Sequence, residues 1–250
     1  MSSTHLDCHF YRGKEASLDT SSYVALNPWC KPGSLVIGGA CAARSNIGGQ
    51  VACRLSLEHF VDGVFEHLPL SGNGHGSQGG KEQSLEVLES AFRKANTSVY
   101  NFGHKLAAGG RMAASLLGLV VADGIIAAGR VGSGSAYLYR GGELFPFFEH
   151  QPEGASESPA EGFVGSNSLV SVELASVPAQ DGDLLLVFSS TVGTEQEEGI
   201  SKSLQRISQD PFSSAEFALN CLIPELGSMA FAVAAHLGPS AVYLRNDMRI

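Results

Sequence analysis

The sequence predicts an α+β layered sandwich that forms a single domain over residues 1–250. Some segments carry apolar residues at the three- and four-residue spacing of helices, and others are apolar runs joined by hairpin turns. Helices grouped against antiparallel hairpins bury their apolar faces in layers. Because 44% of the residues are hydrophobic, a mainly disordered chain is excluded.

The helical spacing recurs in four segments of the chain. In the second segment, Ser84 is expected to cap the helix N-terminus, because a serine side chain can accept a hydrogen bond from the first turn. Glu86 and Glu89 favour the same end through the helix dipole. The predicted helices are residues 50–68, 84–102, 197–208 and 213–223.

The other apolar runs predict strands. Residues 122–124 and 141–142 have the Asp-Gly and Gly-Gly turns that close two hairpins. Residues 71–80, rich in Gly and Ser, and residues 151–168, rich in Glu, Ser, Pro and Gly, are predicted as flexible surface loops. The predicted strands are residues 113–121, 125–131, 136–140, 143–148, 184–188, 231–237 and 241–244.

The charge balance and the cysteines restrict the class of protein. Acidic residues outnumber basic ones by 25 to 16, a net charge of −9, which argues against binding to nucleic acid or to an anionic membrane. We find no signal peptide and no apolar run long enough for a membrane helix. The five cysteines are scattered without a Cys-x-x-Cys pair, which disfavours a disulfide framework or a zinc site. We therefore expect a cytoplasmic protein with reduced thiols.

Four motifs occur in an order that resembles a known family. Residues 132–144 read Gly-Ser-Gly-Ser-Ala-Tyr-Leu-Tyr-Arg-Gly-Gly-Glu-Leu. This segment resembles the signature of protein phosphatase 2C, Gly-Asp-Ser-Arg-Ala-Tyr-Leu followed by Arg-x-Gly-x-Leu. The other three matching motifs are residues 50–55, 112–116 and 182–186, and the resemblance extends from about residue 18 to about residue 237.

The resemblance implies a four-layer α-β-β-α sandwich of two antiparallel sheets flanked by helices. Members of this family are serine/threonine phosphatases in which a cluster of aspartates holds two manganese or magnesium ions. Here the positions of those aspartates carry other residues. The four ligand-equivalent positions are Cys41, Ser133, Ser190 and Met229.

These replacements predict that the metal site has been lost. Hard divalent cations need several anionic oxygens at close range. Asp19 and Asp123 are the nearest spare carboxylates, and they lie too far apart in the motif order to take over. The phosphate-binding arginine of the family has no clear counterpart, because Glu15 stands near its position with Lys14 beside it. We therefore expect no cofactor.

The sequence thus suggests a pseudophosphatase, a binding or regulatory module in phosphorylation signalling. The resemblance implies a protein kinase, a phosphoprotein or an active phosphatase as its partner. Two alternatives remain open. One is a divergent serine/threonine phosphatase with other ligands, or a thiol-based hydrolase with Cys41 as nucleophile and Arg44 nearby; the other is a structural component that associates with itself.

Several other residues near the motifs have a functional and a structural interpretation. The pair Glu149 and His150 could touch a cation weakly, but a solvated loop start is favoured. Four serines could suggest a nucleophile or an anion-binding turn, yet no histidine or lysine is paired with them. We expect these serines to be neutral filler of a former acidic pocket: Ser133, Ser135, Ser189 and Ser190.

Overall fold

The structure is a computed structural model that describes residues 7–13, 21–26, 34–68, 77–106, 112–149, 162–207, 214–227 and 229–238. The described chain contains ten strands and four helices. In chain order they are β1 (Asp7–Arg12), β2 (Ser21–Leu26), β3 (Leu35–Ala42), α1 (Ile47–His67), α2 (Ser77–Lys105), β4 (Ala114–Ala122), β5 (Ile125–Val131), β6 (Ser135–Arg140), β7 (Glu143–Pro146), β8 (Glu173–Pro178), β9 (Leu184–Phe188), α3 (Thr194–Ile207), α4 (Ala215–Leu226) and β10 (Phe231–His236).

The strands form two antiparallel sheets of five strands each. Sheet A has the order β1-β10-β9-β6-β7, and sheet B has the order β2-β3-β4-β5-β8. Within the described residues, β7 and β8 are therefore edge strands, one on each sheet.

The sheets and helices form four layers, and one apolar cluster is buried between each pair of adjacent layers. One cluster lies between sheet B and the helices α1 and α2, and a second lies between the two sheets. A third lies between sheet A and the helices α3 and α4. Strand β9 shows the alternation that this requires, since Leu185 and Val187 face sheet B while Leu186 and Phe188 face the helices. The expected four-layer α-β-β-α sandwich is confirmed.

The helix α1 begins where the sequence provides a cap. The Asn46 side chain accepts a hydrogen bond from the Gly49 amide at 2.7 Å. Helix α4 begins in the same way, because the Ser214 hydroxyl accepts from the Phe217 amide at 3.2 Å. Helices α1, α3 and α4 confirm the predicted helices with their ends displaced by a few residues.

The start of α2 corrects the sequence prediction. The helix begins at Ser77, so Ser84 is a buried residue inside the helix and not its N-cap. The predicted loop is accordingly wrong for residues 77–80, while residues 71–76 lie outside the described residues. Extending an existing helix costs less than nucleating one, so a helix held by packing on α1 continues through poor helix formers.

Both predicted hairpins are confirmed by their turns. Asp123 and Gly124 have φ of 51° and 73°, and Gly141 and Gly142 have φ of 62° and 90°. Positive φ at both central residues is the requirement of the tight turn that matches strand twist.

The structure describes only part of the segments that were predicted as the loop 151–168 and as the last strands. Residues 162–168 form turns, and Val164 makes an isolated bridge to Ala114. Residues 150–161 and 241–244 lie outside the described residues. No helix in the described part of the chain is both long and apolar enough to cross a membrane.

Candidate functional site

The four ligand-equivalent positions lie at one end of the sandwich, which we call the site end. Near the end of β3, Cys41 lies opposite Ser115 near the start of β4. A short turn that contains Ser133 connects β5 of sheet B to β6 of sheet A. Phe188 at the end of β9 is opposite both Ser135 and Ala232, which places Ser190 and Met229 next to that turn. Strand register therefore brings motifs that are separate along the chain close together in space.

Cys41 is half-buried and packs against the apolar cluster between the sheets. Burial raises the pKa of its thiol from 9.0 to about 12. A nucleophilic cysteine needs a lowered pKa from a neighbouring base or cation. Arg44, three residues further on, is exposed to solvent. The structure therefore does not favour the thiolate that a Cys41 nucleophile requires.

Two of the four serines at the site end hold the backbone in place. The Ser189 hydroxyl accepts from the amides of Ala230 at 2.8 Å and Phe231 at 3.3 Å. The Ser135 hydroxyl accepts from the Val192 amide at 3.1 Å. Ser133 is exposed at the turn, and Ser190 is half-buried. Two of these oxygens therefore fasten the loops that follow β9 and precede β10.

Met229 is in a different environment from Cys41. Its side chain is only 2% exposed and packs in the cluster between sheet A and the helices α3 and α4. Cys41 instead faces the cluster between the two sheets. The structure thus brings the four positions to one end of the fold, but it does not turn these two side chains toward a common centre.

The residues at the site end do not fit a pair of hard divalent cations. A thiol, two hydroxyls and a thioether provide no anionic oxygen, whereas such cations need several carboxylates. Among the described residues, no group of three or more His, Cys, Asp or Glu side chains could hold a metal ion. Asp123 lies in the β4–β5 hairpin at the opposite end of sheet B, and Glu149 is exposed. Lys14, Glu15, Asp19 and His150 lie outside the described residues.

Arg130 is the residue at this end that the motifs did not reveal. Its side chain, 5% exposed, forms a 2.6 Å ion pair with Glu173. It also donates to the carbonyls of Gly134 at 3.2 Å and Glu149 at 3.5 Å, and its guanidinium lies 4.7 Å from the Phe148 ring centroid. Because Gly134 and Glu149 flank sheet A strands, Arg130 of sheet B connects the two sheets. In the sequence, the one feature that could have indicated a special role for Arg130 is that this charged residue stands within an apolar run.

The space beside Arg130 is too small for a phosphate ester. A polar cavity of about 10 Å³ lies there, lined by Arg130, Ser135, Tyr137, Phe148, Glu149 and Thr191, among others. A single water needs roughly 10–15 Å³ on the same measure. The cavity therefore has room for about one water molecule.

A second arginine connects the sheets at the opposite end, which we call the far end. Arg140 of β6 binds both carboxylate oxygens of Asp183 at 2.6 Å and donates to the Pro178 carbonyl of β8 at 2.7 Å. The hydrogen bonds to Asp183 raise the pKa of Arg140. Both residues belong to the matching motifs named above, Arg140 to residues 132–144 and Asp183 to residues 182–186. The structure gives these two motif positions a bracing role.

Solved structures match nearly the whole chain. The serine/threonine phosphatase PstP/Ppp of Mycobacterium tuberculosis is 19% identical, with 94% of this chain and 98% of that chain covered and a TM-score of 0.63. PppA, a key regulatory component of T6SS in Pseudomonas aeruginosa, is 15% identical over 94% and 99% of the two chains, with a TM-score of 0.61. The S. agalactiae serine/threonine phosphatase is 12% identical over 93% and 99%, with a TM-score of 0.63.

These similarities confirm the fold expected from the motifs. No family model and no curated protein matches the chain. The catalytic domain of PstP has been solved in complex with two manganese ions. At 19% identity or less, the shared feature is the serine/threonine phosphatase fold, and the site residues have to be judged on this chain's own chemistry.

Proposed function

We propose that this protein is a pseudophosphatase, which keeps the fold of protein phosphatase 2C and acts as a binding or regulatory module in phosphorylation signalling. The observation that carries the proposal is the donor set at the site end. Cys41, Ser133, Ser190 and Met229 stand where the resemblance places metal-binding aspartates, and none of them has an anionic oxygen. A two-metal mechanism needs such oxygens to hold both ions.

Two further features support the same proposal. The hydroxyls of Ser135 and Ser189 accept hydrogen bonds from backbone amides, which is a structural use of polar side chains at a former site. The cavity beside Arg130 has room for about one water, whereas a phosphoryl group and its ester need several times that volume.

The partner that we propose is the one that the family resemblance implies. A scaffold of the phosphatase type would act in the cytoplasm on a protein kinase, a phosphoprotein or an active phosphatase. With a net charge of −9 the chain is poorly suited to nucleic acid or an anionic membrane surface, so a protein partner is favoured.

The test combines a metal titration with a turnover assay. We expect no heat of Mn²⁺ binding by calorimetry, no thermal stabilisation by Mn²⁺ or Mg²⁺, and no metal-dependent hydrolysis of p-nitrophenyl phosphate. The PstP catalytic domain, assayed in parallel, is the positive control for both measurements. Tight Mn²⁺ binding or Mn²⁺-dependent turnover would overturn the proposal.

The same turnover assay tests the alternative that the protein is a divergent enzyme. Metal-independent turnover that disappears in Cys41→Ser would favour a thiol-based hydrolase, although burial raises the pKa of that thiol to about 12. Turnover that disappears in Asp19→Asn would favour a phosphatase with other ligands. Turnover unchanged in both variants would exclude these two residues as its source.

A further inference from the structure

An apolar groove opens between the edge strands of the two sheets. Its walls come from β7 and the residue after it on sheet A and from β8 on sheet B, and we call it the edge groove. The cavity is about 70 Å³. A water needs roughly 10–15 Å³ on this measure, so the edge groove has room for several methyl-sized groups. It is lined by Leu138, Phe145, Pro146, Phe147, Ala175 and Val177.

The edge groove is open to solvent and its floor is apolar. Phe145 is 43% exposed, a large value for an aromatic side chain beside a core. Leu138 at the floor is 4% exposed and belongs to the cluster between the sheets. An apolar side chain entering here would therefore continue the inter-sheet core, and the burial of its surface would favour binding.

The two arginines that connect the sheets fix the shape of the edge groove. Arg130 of β5 donates to the Glu149 carbonyl beyond the end of β7. Arg140 of β6 donates to the Pro178 carbonyl at the end of β8. Each bond ties one sheet to the edge of the other, one at the site end and one at the far end. A preformed groove of this kind spares a ligand the cost of ordering it.

The charge around the edge groove is negative. Glu143 begins β7 and Glu149 follows its end, and both are exposed. The two arginines contribute little free positive charge, because Arg130 pairs with Glu173 and Arg140 pairs with Asp183. The whole chain adds a net charge of −9. Opposite charge on a partner would therefore speed association and set its register.

We infer that the edge groove binds an extended segment of a partner protein that carries an apolar side chain between basic residues. The apolar side chain enters beside Phe145 and Val177. Lysine or arginine on either side reaches Glu143 and Glu149, which are six residues apart and thus at most about 20 Å. The recognised segment is consequently short, about seven to nine residues with basic ends. The inference rests on the proposed function in taking the protein to be a binding module.

A peptide selection tests this inference on the full chain. A phage-displayed library of random nine-residue peptides is selected on the wild-type protein, and the recovered peptides are synthesised and measured by fluorescence anisotropy. We expect an apolar residue flanked by lysine or arginine. Recovery of no binding peptide, or of peptides with acidic or uncharged flanks, would overturn the inference.

Two variants locate the binding. Ala175→Arg places a long side chain in the edge groove, and we expect affinity to fall at least tenfold. The double variant Glu143→Lys/Glu149→Lys reverses the flanking charge, and we expect a loss of about fivefold that shrinks at high salt. Phe217→Ser, which removes a 46% exposed aromatic from α4, is the matched control and should bind as the wild type does. Thermal unfolding of each variant establishes that it is folded.

The outcomes separate this inference from the proposed function. Peptide binding requires neither metal nor turnover, so Mn²⁺-dependent hydrolysis would end the pseudophosphatase proposal and leave the peptide result standing. Binding that survives Ala175→Arg would place the peptide elsewhere and overturn the inference. Sedimentation velocity completes the test, because wild-type self-association that Ala175→Arg abolishes would make a second copy the occupant.

Discussion

The two ends of the sandwich both contain an arginine that connects the sheets, but they differ in the carboxylates around it. At the far end, Arg140 binds both oxygens of Asp183, whose side chain is 1% exposed. At the site end, Arg130 pairs with Glu173, whose side chain is 49% exposed. The far end thus has a carboxylate enclosed within the fold, and the site end has neutral side chains where the resemblance expects carboxylates.

The two ends differ in how the charge of an aspartate would be compensated, by an arginine of the same chain or by a bound metal. Asp183 has a permanent cationic partner within the chain, so its buried charge is compensated without any ligand. An aspartate at a metal site is compensated only by the metal, and without it the charges repel and lose solvation. On the proposed function, a chain without metals at this end would therefore keep the bracing aspartate and could replace the metal-binding ones.

The largest effect is expected from returning a carboxylate to the site end at Met229. Met229→Asp places an ionisable group in an apolar cluster where the side chain is 2% exposed, and we expect it to lower the free energy of unfolding by about 4 kcal/mol. Urea denaturation measures this. Ser133→Asp, at the exposed turn of the same end, is the matched control and should stay within about 0.5 kcal/mol. A stable Met229→Asp protein would show that this position can still face solvent or a cation.

Removal of the far-end carboxylate should be the next largest effect. Asp183→Ala leaves Arg140 without its partner and the Gln180 amide without its 2.8 Å acceptor, and we expect a loss of about 3 kcal/mol in urea denaturation. Asp181→Ala changes an exposed carboxylate in the same turn and should cost less than about 0.5 kcal/mol. Equal losses in both variants would mean that the buried pair does not brace the sheets.

Removal of the site-end arginine should cost less. Arg130→Met keeps an apolar stem against Phe148 but leaves the carbonyls of Gly134 and Glu149 without their donor, while the half-exposed Glu173 regains water. We expect a loss of about 2 kcal/mol in the free energy of unfolding. Arg93→Met removes an exposed 2.6 Å ion pair on α2 and should cost less than about 0.5 kcal/mol. A cost for Arg130→Met above that of Asp183→Ala would reverse the comparison between the two ends.

The smallest effect concerns the pH dependence of stability at Cys41. Its folded-state pKa is raised from 9.0 to about 12, so between these values the unfolded thiol loses its proton while the folded one keeps it. Stability from this group is complete below pH 9 and falls by about 1.4 kcal/mol per pH unit above it. Urea denaturation at pH 8 and pH 10 should therefore show a smaller decline in Cys41→Ser and in Cys41→Ala than in the wild type. A decline that both variants leave unchanged would mean that the Cys41 thiol is open to solvent.

Local chemistry explains which elements could be predicted from the sequence. The Asp123-Gly124 and Gly141-Gly142 turns marked both hairpins because few residues accept positive φ at both central positions. The start of α2 was predicted seven residues too late, since Ser84 has the chemistry of a cap and only packing on α1 shows that the helix passes through it. The strands β1, β2, β3 and β8 were not among those that the pattern identified.

Part of the candidate site was also predictable, because the motifs are local features of the sequence. The motif order identified Cys41, Ser133, Ser190 and Met229 as positions without a carboxylate, and strand register shows that they share one end of the fold. That Met229 packs under α3 and α4, and that Arg130 connects the sheets, depends on contacts between segments that are distant along the chain.

The motifs, the turn residues and the charge balance were enough to indicate the fold, the missing carboxylates and the acidic character of the chain, because each acts through short-range chemistry or simple composition. The edge groove, the enclosed ion pair of Arg140 with Asp183 and the separate environments of Cys41 and Met229 were decided by the tertiary structure. They arise where two sheets meet, and the distance between sheet edges follows from the packing of all their layers together.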